Sequence, residues 1–358
     1  MQTNIMSGTE ERIQAFVKLG GFIREYVSIS EKNSSKSPQE PYWHEKLDEA
    51  IQQAGLRNGW FTKANVLFAL KGWGELLNNR VLNTWLAGYE IHNNPSREVA
   101  IITAGNIPLV GFHDLLCVLI TGNKAVVKCS SNDNLLLPLL MDFLVKTEPY
   151  FEEKIEFTEG FLEHFDAVIA TGSNNTSRYF EYYFGKKPHI IRKNRNSVAV
   201  LSGKESHEQL ELLGEDVFRY FGLGCRSVSK IFIPRDFEFD LLFEALYRHR
   251  NVMEHVKYSN NYEYNKAVYL MSEFKFLDNG FFMLKEDQGY ASPISTLFYE
   301  YYDSTAELSE KLIRDQDQIQ CLVAEKFSTD EISFGQTQHP GLKDYADGVD
   351  TVEFLLRT

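Results

Sequence analysis

Glu98-Val-Ala-Ile-Ile-Thr-Ala-Gly-Asn-Ile-Pro-Leu109 and, further along, Thr121-Gly-Asn-Lys-Ala-Val-Val-Lys128 are the stretches that decide the fold. Each carries a short apolar run bounded by turn residues, the pattern of a strand buried on both faces in a parallel sheet. Pro108 suits the first turn of a helix running to about Leu119, and Gly122-Asn123 turns the chain into the second strand. The alternation continues outward. A helix is expected from about Asn134 to Lys146, then a third strand at Asp166–Ala170. Thr171-Gly-Ser opens a helix to about Tyr183, and Ser197–Leu201 reads as a fourth strand. Strands alternating with helices predict a doubly wound α/β domain.

A second α/β unit is expected from about Glu205. It comprises a helix at His207–Tyr220, a strand at Lys230–Ile233 ended by Pro234, a helix at Asp240–His249, and strands at Ser295–Tyr302 and Ile319–Ala324. Upstream, residues 1–30 and Tyr42–Tyr89 read as mainly helical, separated by a polar loop at Glu31–Pro41. The expected organisation is a helical segment at 1–95, a first α/β domain at 96–203, a second at 204–333, and a C-terminal segment at 334–358. That last segment returns to the first domain or pairs with another subunit.

The 358-residue chain has a formal net charge of −13. Such a balance argues against nucleic acid as a partner, which needs a basic surface, but leaves room for small anions held by a few local groups. No apolar run approaches the roughly 20 residues that span a bilayer. Glu10, Glu11 and Arg12 stand where a secretory leader would need an apolar run. A cytoplasmic protein is expected. Cys117, Cys129, Cys225 and Cys321 are widely spaced, with no CxxC pair and no Cys/His cluster of metal-ligand spacing. No metal site is expected, and in a reducing cytosol each is a thiol by default.

Three places carry candidate chemistry, and each has a plainer reading beside it. Cys225 stands in Gly222-Leu-Gly-Cys-Arg-Ser, between a predicted helix and a predicted strand. Its glycines let the chain turn and leave the sulfur uncrowded, and Arg226 favours thiolate; the alternative is a small buried thiol. Cys117 and Cys321 sit in apolar runs and take that second reading, while Cys129 receives no role. Asn106 lies where a strand hands over to a helix, so its amide could donate to an oxyanion or simply cap the helix. Thr171-Gly172-Ser173 starts a helix whose N–H groups attract phosphate, or forms an ordinary turn.

In this order the segments resemble the aldehyde dehydrogenase superfamily. Asn106-Ile-Pro-Leu is similar to its Asn-Phe-Pro stretch, and Thr121–Lys128 to its Gly-Asn-x-x-Val-x-Lys strand. Thr171-Gly-Ser is similar to its Thr-Gly-Ser helix start, and Gly224-Cys225 with Lys230–Pro234 to its nucleophile loop and following strand. Within the superfamily the chain resembles the acyl-CoA or acyl-protein thioester reductases that make fatty aldehyde in bacterial bioluminescence. Phe112-His-Asp-Leu-Leu-Cys-Val-Leu, Arg195-Asn-Ser-Val-Ala-Val-Leu and Phe334-Gly-Gln-Thr-Gln carry that likeness, with Asp344-Tyr-Ala-Asp-Gly-Val-Asp-Thr-Val-Glu-Phe-Leu. It runs from Glu98 to the end.

The resemblance implies an aldehyde-dehydrogenase-like α/β fold: two doubly wound Rossmann-type domains with an N-terminal helical segment. The NADP-binding domain would be 96–203 and the catalytic domain 204–333. Cys225 would be the nucleophile and Asn106 an oxyanion donor with the Cys225 N–H. Lys128 would contact the adenosine ribose or its phosphate, and Thr171, Gly172 and Ser173 the pyrophosphate and nicotinamide side. Two departures matter. Aldehyde-oxidising members use the Glu of a Glu-Leu-Gly-Gly stretch to activate water. The matching stretch here, Ile191-Arg-Lys-Asn-Arg-Asn-Ser197, has no carboxylate, although Glu205 and Glu208 stand nearby if the match is displaced. NAD-preferring relatives often place an acid three residues after the ribose-binding Lys; here that residue is Ser131, so Lys128, Ser130 and Ser131 could receive a 2′-phosphate and NADPH is expected, with Asp133 the nearest acid.

The expected reaction is NADPH-dependent reduction of a long-chain acyl-CoA or acyl-protein thioester to aldehyde through a Cys225 acyl-enzyme. His113 reads as a histidine packed on a helix face, with a proton relay to the leaving thiol as the alternative. An acyl-protein synthetase or ligase partner and a homo-oligomer are implied. The competing readings are an NAD-dependent dehydrogenase oxidising aldehydes and a non-catalytic subunit of a fatty-acid reductase complex.

Overall fold

Leu19, Ile23, Leu47, Val66 and Leu82 are all fully buried, and they lie on the inward faces of four successive helices. These are α1 (Gly8–Lys32), α2 (Pro41–Arg57), α3 (Lys63–Leu76) and α4 (Asn79–Leu86). In this computed structural model residues 8–32, 37–91 and 95–358 are described, so the first seven residues of the helix expected over 1–30 and residues 33–36 of the expected Glu31–Pro41 loop lie outside them. Thr62 and Asn78 accept from the backbone N–H of Asn65 and Val81, which starts α3 and α4 cleanly.

The predicted strands follow as β1 (Glu98–Ile102) and β2 (Lys124–Lys128), joined through α5 (Phe112–Ile120). Next come α6 (Leu136–Thr147), β3 (Ile155–Phe157), β4 (Ala167–Thr171), α7 (Asn174–Phe184) and β5 (His189–Arg192). The sheet runs β3-β2-β1-β4-β5, parallel throughout, with Glu98 opposite Lys124 and Val99 opposite Ala167. α5 begins at Phe112, later than Pro108 suggests. Leu109 takes a left-handed φ of 59° and its N–H goes to Asp133, so no helical turn can form across it.

The rest of the chain supplies β6 (Asn196–Val200), α8 (His207–Phe218), β7 (Val228–Pro234), α9 (Phe239–Leu246), α10 (Val256–Met271) and β8 (Phe276–Asp278). It continues with β9 (Met283–Glu286), β10 (Thr296–Tyr302), α11 (Thr305–Arg314), β11 (Ile319–Val323) and α12 (Thr351–Arg357). The second sheet has the order β11-β6-β7-β10-β9-β8, and only the β8–β9 pair is antiparallel. β6 therefore belongs to the second sheet, whereas Ser197–Leu201 was expected to be the fourth strand of the first. An apolar run marks a buried strand but carries no information about which neighbour it pairs with.

The chain divides into residues 1–193 with 341–358, and residues 194–340. The division falls at the end of β5 rather than near residue 203, because β6 pairs with β7. In the first unit α12 packs on α5, and a buried ion pair helps fix it there. Arg192 of β5 grips Asp114 of α5 with two nitrogens, one at 2.8 Å, and also donates to Thr351 at 3.3 Å. Among the described residues no helix is long and apolar enough to cross a membrane.

Candidate active site

In the first unit the residues singled out for cofactor and oxyanion all lie at or just past the carboxyl end of a parallel strand. Asn106 follows β1. Lys128 ends β2, with Ser130 and Ser131 in the turn behind it. Thr171 ends β4, and Gly172 and Ser173 lead into α7. From β1 the chain steps outward to β2 and β3, then resumes on the other flank with β4 and β5. The boundary between β1 and β4 is thus where strand order reverses, the place where open parallel sheets bind ligands.

Two glycines allow the turns there to close. A Cβ at Gly105 would stand 2.5 Å from Ser130 Oγ, and one at Gly172 would stand 3.0 Å from Phe180 and Thr176. Ser173 caps α7 by accepting from the Thr176 N–H at 3.2 Å. Lys128 Nζ donates to the Gly160 carbonyl at 2.9 Å. Asn106 is exposed, and it is not the cap of α5, a position that Gly111 holds. Its turn is held from two sides: Asn58 donates to the Gly105 carbonyl at 3.3 Å, and Asp133 accepts the Leu109 N–H at 3.0 Å. Asp133 is only 6% exposed, and its second carboxylate oxygen is buried without a partner. Burial pushes its carboxyl up to about 7, with the Leu109 N–H pulling the other way. The first acid after Lys128 in the sequence is thus committed to the Asn106 turn.

In the second unit Cys225 is exposed, in the turn between α8 and β7. Tyr220, Phe221 and Gly222 precede it, all left-handed, with φ of 54°, 58° and 75°. For the two non-glycines this costs about 1–3 kcal/mol each. Packing holds them: Tyr220 is buried, and the Phe221 ring lies 4.4 Å from His255. The turn is tied down on its other side. Ser197 Oγ donates to the Cys225 carbonyl at 3.0 Å, and Arg226 Nε donates to the Thr337 carbonyl at 2.5 Å. Thr337 is itself fixed by Asp216, which accepts from Thr337 N at 3.0 Å, Thr337 Oγ1 at 2.8 Å and Gly335 N at 2.7 Å. Burial raises the Asp216 carboxyl to about 6 against those three donors.

The Ile191–Ser197 stretch, which carries no carboxylate, ends on Ser197 beside the Cys225 turn. Glu205 and Glu208 follow the carboxyl end of β6, whereas Cys225 precedes the amino end of β7, and β6 and β7 are parallel. The two acids therefore stand at the opposite end of the sheet from Cys225. Glu205 is also spent on its own loop, accepting from Ser202 N at 2.6 Å and Gly203 N at 3.0 Å.

His113 is the packed histidine of its first reading. Its Nε2 meets the Leu342 carbonyl at 3.1 Å, among the rings of Trp73, Trp85 and Tyr345, and burial lowers its pKa. Burial also pushes the Cys117 thiol well up and the Cys129 thiol to about 11, which keeps both protonated. Sequence reading did not find Asp216, Thr337 or the Asp133–Leu109 bond. Asp216 and Thr337 are 121 positions apart, and no local pattern announces a contact of that span.

Comparison with known proteins bears on both units. The chain aligns with a long-chain acyl-protein thioester reductase of Aliivibrio fischeri at 23% identity, over 60% of this chain and 48% of that protein. It thus spans about half the length of that curated relative. Among solved structures, aldehyde dehydrogenase 21 from Physcomitrella patens superposes with a TM-score of 0.61 at 12% identity, over 98% of this chain and 87% of that one. Aldehyde dehydrogenase C from Pseudomonas syringae, solved with NAD+ and octanal, gives a TM-score of 0.57 at 15% identity, over 84% and 70%. The fold is that of aldehyde dehydrogenases. The family described as acyl-CoA reductase (LuxC) matches residues 60–242, just over half of the 358-residue chain and a span that includes both Asn106 and Cys225. The chain belongs to the acyl-CoA reductase (LuxC) family.

Proposed function

We propose that this chain is an oxidoreductase that reduces acyl thioesters to aldehydes with NADPH, through an acyl-enzyme on Cys225. One observation carries the direction of the reaction. The Ile191–Ser197 stretch, which resembles the one where aldehyde-oxidising relatives carry a water-activating Glu, has no carboxylate; its Ser197 is bonded to the Cys225 carbonyl, and Glu205 and Glu208 stand at the far end of the strands. An acyl-enzyme that lacks a base for water survives until it is reduced.

The Cys225 sulfur attacks the thioester carbonyl and the thiol of the substrate leaves. The oxyanion is assigned to the Asn106 amide and the Cys225 N–H. The first unit's residues fit a dinucleotide: the α7 start offers N–H groups to a pyrophosphate, and Gly105 and Gly172 let the two turns close against Ser130 and Thr176 without a Cβ in the way. Lys128, Ser130 and Ser131 would hold the adenosine end, and Asp133, the nearest acid in sequence, is buried and bonded to the Leu109 N–H rather than facing that site. Bound NADPH supplies the hydride that reduces the acyl group. Aldehyde release returns the electron pair to the Cys225 sulfur.

Mass spectrometry after mixing the protein with acyl-CoA in the absence of NADPH tests the reading. A mass gain equal to one acyl group is expected, and its loss in Cys225→Ala. A gain that persists in that variant removes Cys225 as the nucleophile.

A further inference from the structure

β5 stands at the edge of the first sheet, beside β4, and the chain leaves that sheet at its last residue, Arg192. The end of an edge strand is held from one side and opens more readily than the middle of a sheet. Arg192 lies opposite Thr171 in the pairing of the two strands, and its carbonyl accepts the Gly172 N–H at 3.4 Å. The Thr171-Gly172-Ser173 turn is thus tied to the last residue of β5. That turn is closely packed, since a Cβ at Gly172 would meet Phe180 and Thr176 at 3.0 Å.

The Arg192 side chain runs inward from this strand end. Two of its nitrogens grip Asp114 of α5, and Nη2, which is 2.8 Å from Asp114 Oδ1, also donates to Thr351 Oγ1 of α12 at 3.3 Å. None of the three residues is more than 5% exposed. The start of α12 is fixed in turn by Asp350, which accepts from the Glu353 N–H at 2.9 Å and from the Tyr89 hydroxyl at 2.6 Å. A buried ion pair adds little net stability over apolar packing of the same volume. Its paired, directional bonds fix geometry instead. Here they pin the end of an edge strand to two helices, at the residue whose carbonyl holds Gly172.

We propose that Arg192 is a positioning residue for the dinucleotide site: Asp114 and Thr351 hold its side chain, and its carbonyl keeps the Gly172 turn closed. The C-terminal helix then supports the cofactor turn without touching the cofactor. The proposal rests on the cofactor reading of Thr171–Ser173 above.

The test exchanges the ion pair for an apolar pair, Asp114→Leu with Arg192→Met, in the intact chain. Such exchanges are often neutral or stabilising, so melting should stay cooperative. Hydrogen exchange without NADPH reads the turn itself. The amides from Gly172 to Thr176 should exchange about tenfold faster or more, while those of β1 keep their rate. The NADPH dissociation constant should rise about tenfold or more, with kcat at saturating NADPH within about threefold of wild type. A smaller folded fraction would lower kcat and leave the dissociation constant alone. Unchanged exchange in a variant that melts cooperatively overturns the proposal. Faster exchange with unchanged NADPH affinity removes the turn from the cofactor reading, and the proposed role falls with it. A wild type that binds no NADPH overturns that reading by itself, because exchange still decides whether Arg192 holds the turn. If the double variant does not melt cooperatively, Thr351→Val takes one bond from Arg192 without stranding a charge. Exchange about twofold faster or more is then expected at the same amides, and an unchanged rate overturns the proposal.

Discussion

The two units hold their candidate catalytic residues at opposite ends of parallel strands, and each does so with a buried carboxyl. In the first, the Asn106 turn follows β1 and Asp133 ties it down with one hydrogen bond to Leu109. In the second, the Cys225 turn precedes β7, and Asp216 ties it down through three bonds to Gly335 and Thr337, with Thr337 holding Arg226. The difference lies in how far each carboxyl is satisfied. Three donors leave Asp216 at about 6, while a single donor and an unmet oxygen leave Asp133 at about 7. Burial raises both carboxyls, and the additional donors at Asp216 stand against that rise while they tie the turn at more points. The strained turn before Cys225 has the firmer anchor.

Truncating the firmer anchor should therefore cost the most. Asp216→Ala leaves two backbone N–H groups and one hydroxyl without an acceptor inside the protein, and about 3 kcal/mol of stability should go with them. Urea unfolding measures this. A loss below about 1 kcal/mol would show that the three donors find other partners, and the contrast between the two turns would collapse.

The weaker anchor should show itself through pH. Both carboxyls titrate above their ordinary value of 3.8 when folded, so the folded chain holds protons that the unfolded chain has released. What these groups contribute is present in full below about pH 4 and is lost as pH rises through 6 for Asp216 and 7 for Asp133. Asp133→Asn removes the later part of that loss and keeps an oxygen for the Leu109 N–H. Between about pH 5 and pH 8 the wild type should lose more stability than the variant, by roughly 2–3 kcal/mol. Equal losses would mean that Asp133 stays ionised throughout.

The same contrast separates what was legible in the sequence from what was not. Central strands such as Glu98–Ile102 and Lys124–Lys128 are buried runs and announce themselves. β3 and β8 are short, half-exposed edge strands, and α10 mixes Asn, Lys and Glu with tyrosines around its surface, so none has a periodicity to read. The placement of Asn106, Lys128 and Thr171–Ser173 at strand ends was legible because strand ends are local features. The residues that hold the turns were not. Asp216 meets Thr337 and Asp114 meets Arg192 only after the chain has folded, and each looks in sequence like an ordinary helix charge.

Ser173 offers the smallest effect and a clean division between two roles. Its hydroxyl accepts from the Thr176 N–H at 3.2 Å and shares a second bond with the Thr176 hydroxyl at 2.9 Å, so the oxygen already serves as the cap of α7. Any hold on a pyrophosphate should then come from backbone N–H groups at the helix start, which Ser173→Ala leaves in place. The substitution should cost about 1 kcal/mol of stability, the ordinary value of a lost cap. The dissociation constant for NADPH, read by quenching of protein fluorescence, should rise less than about threefold, because a fully formed charge-assisted hydrogen bond would be worth more than that. A rise of tenfold or more with unchanged stability would reverse the assignment, giving the hydroxyl to the cofactor and leaving the helix to start without it.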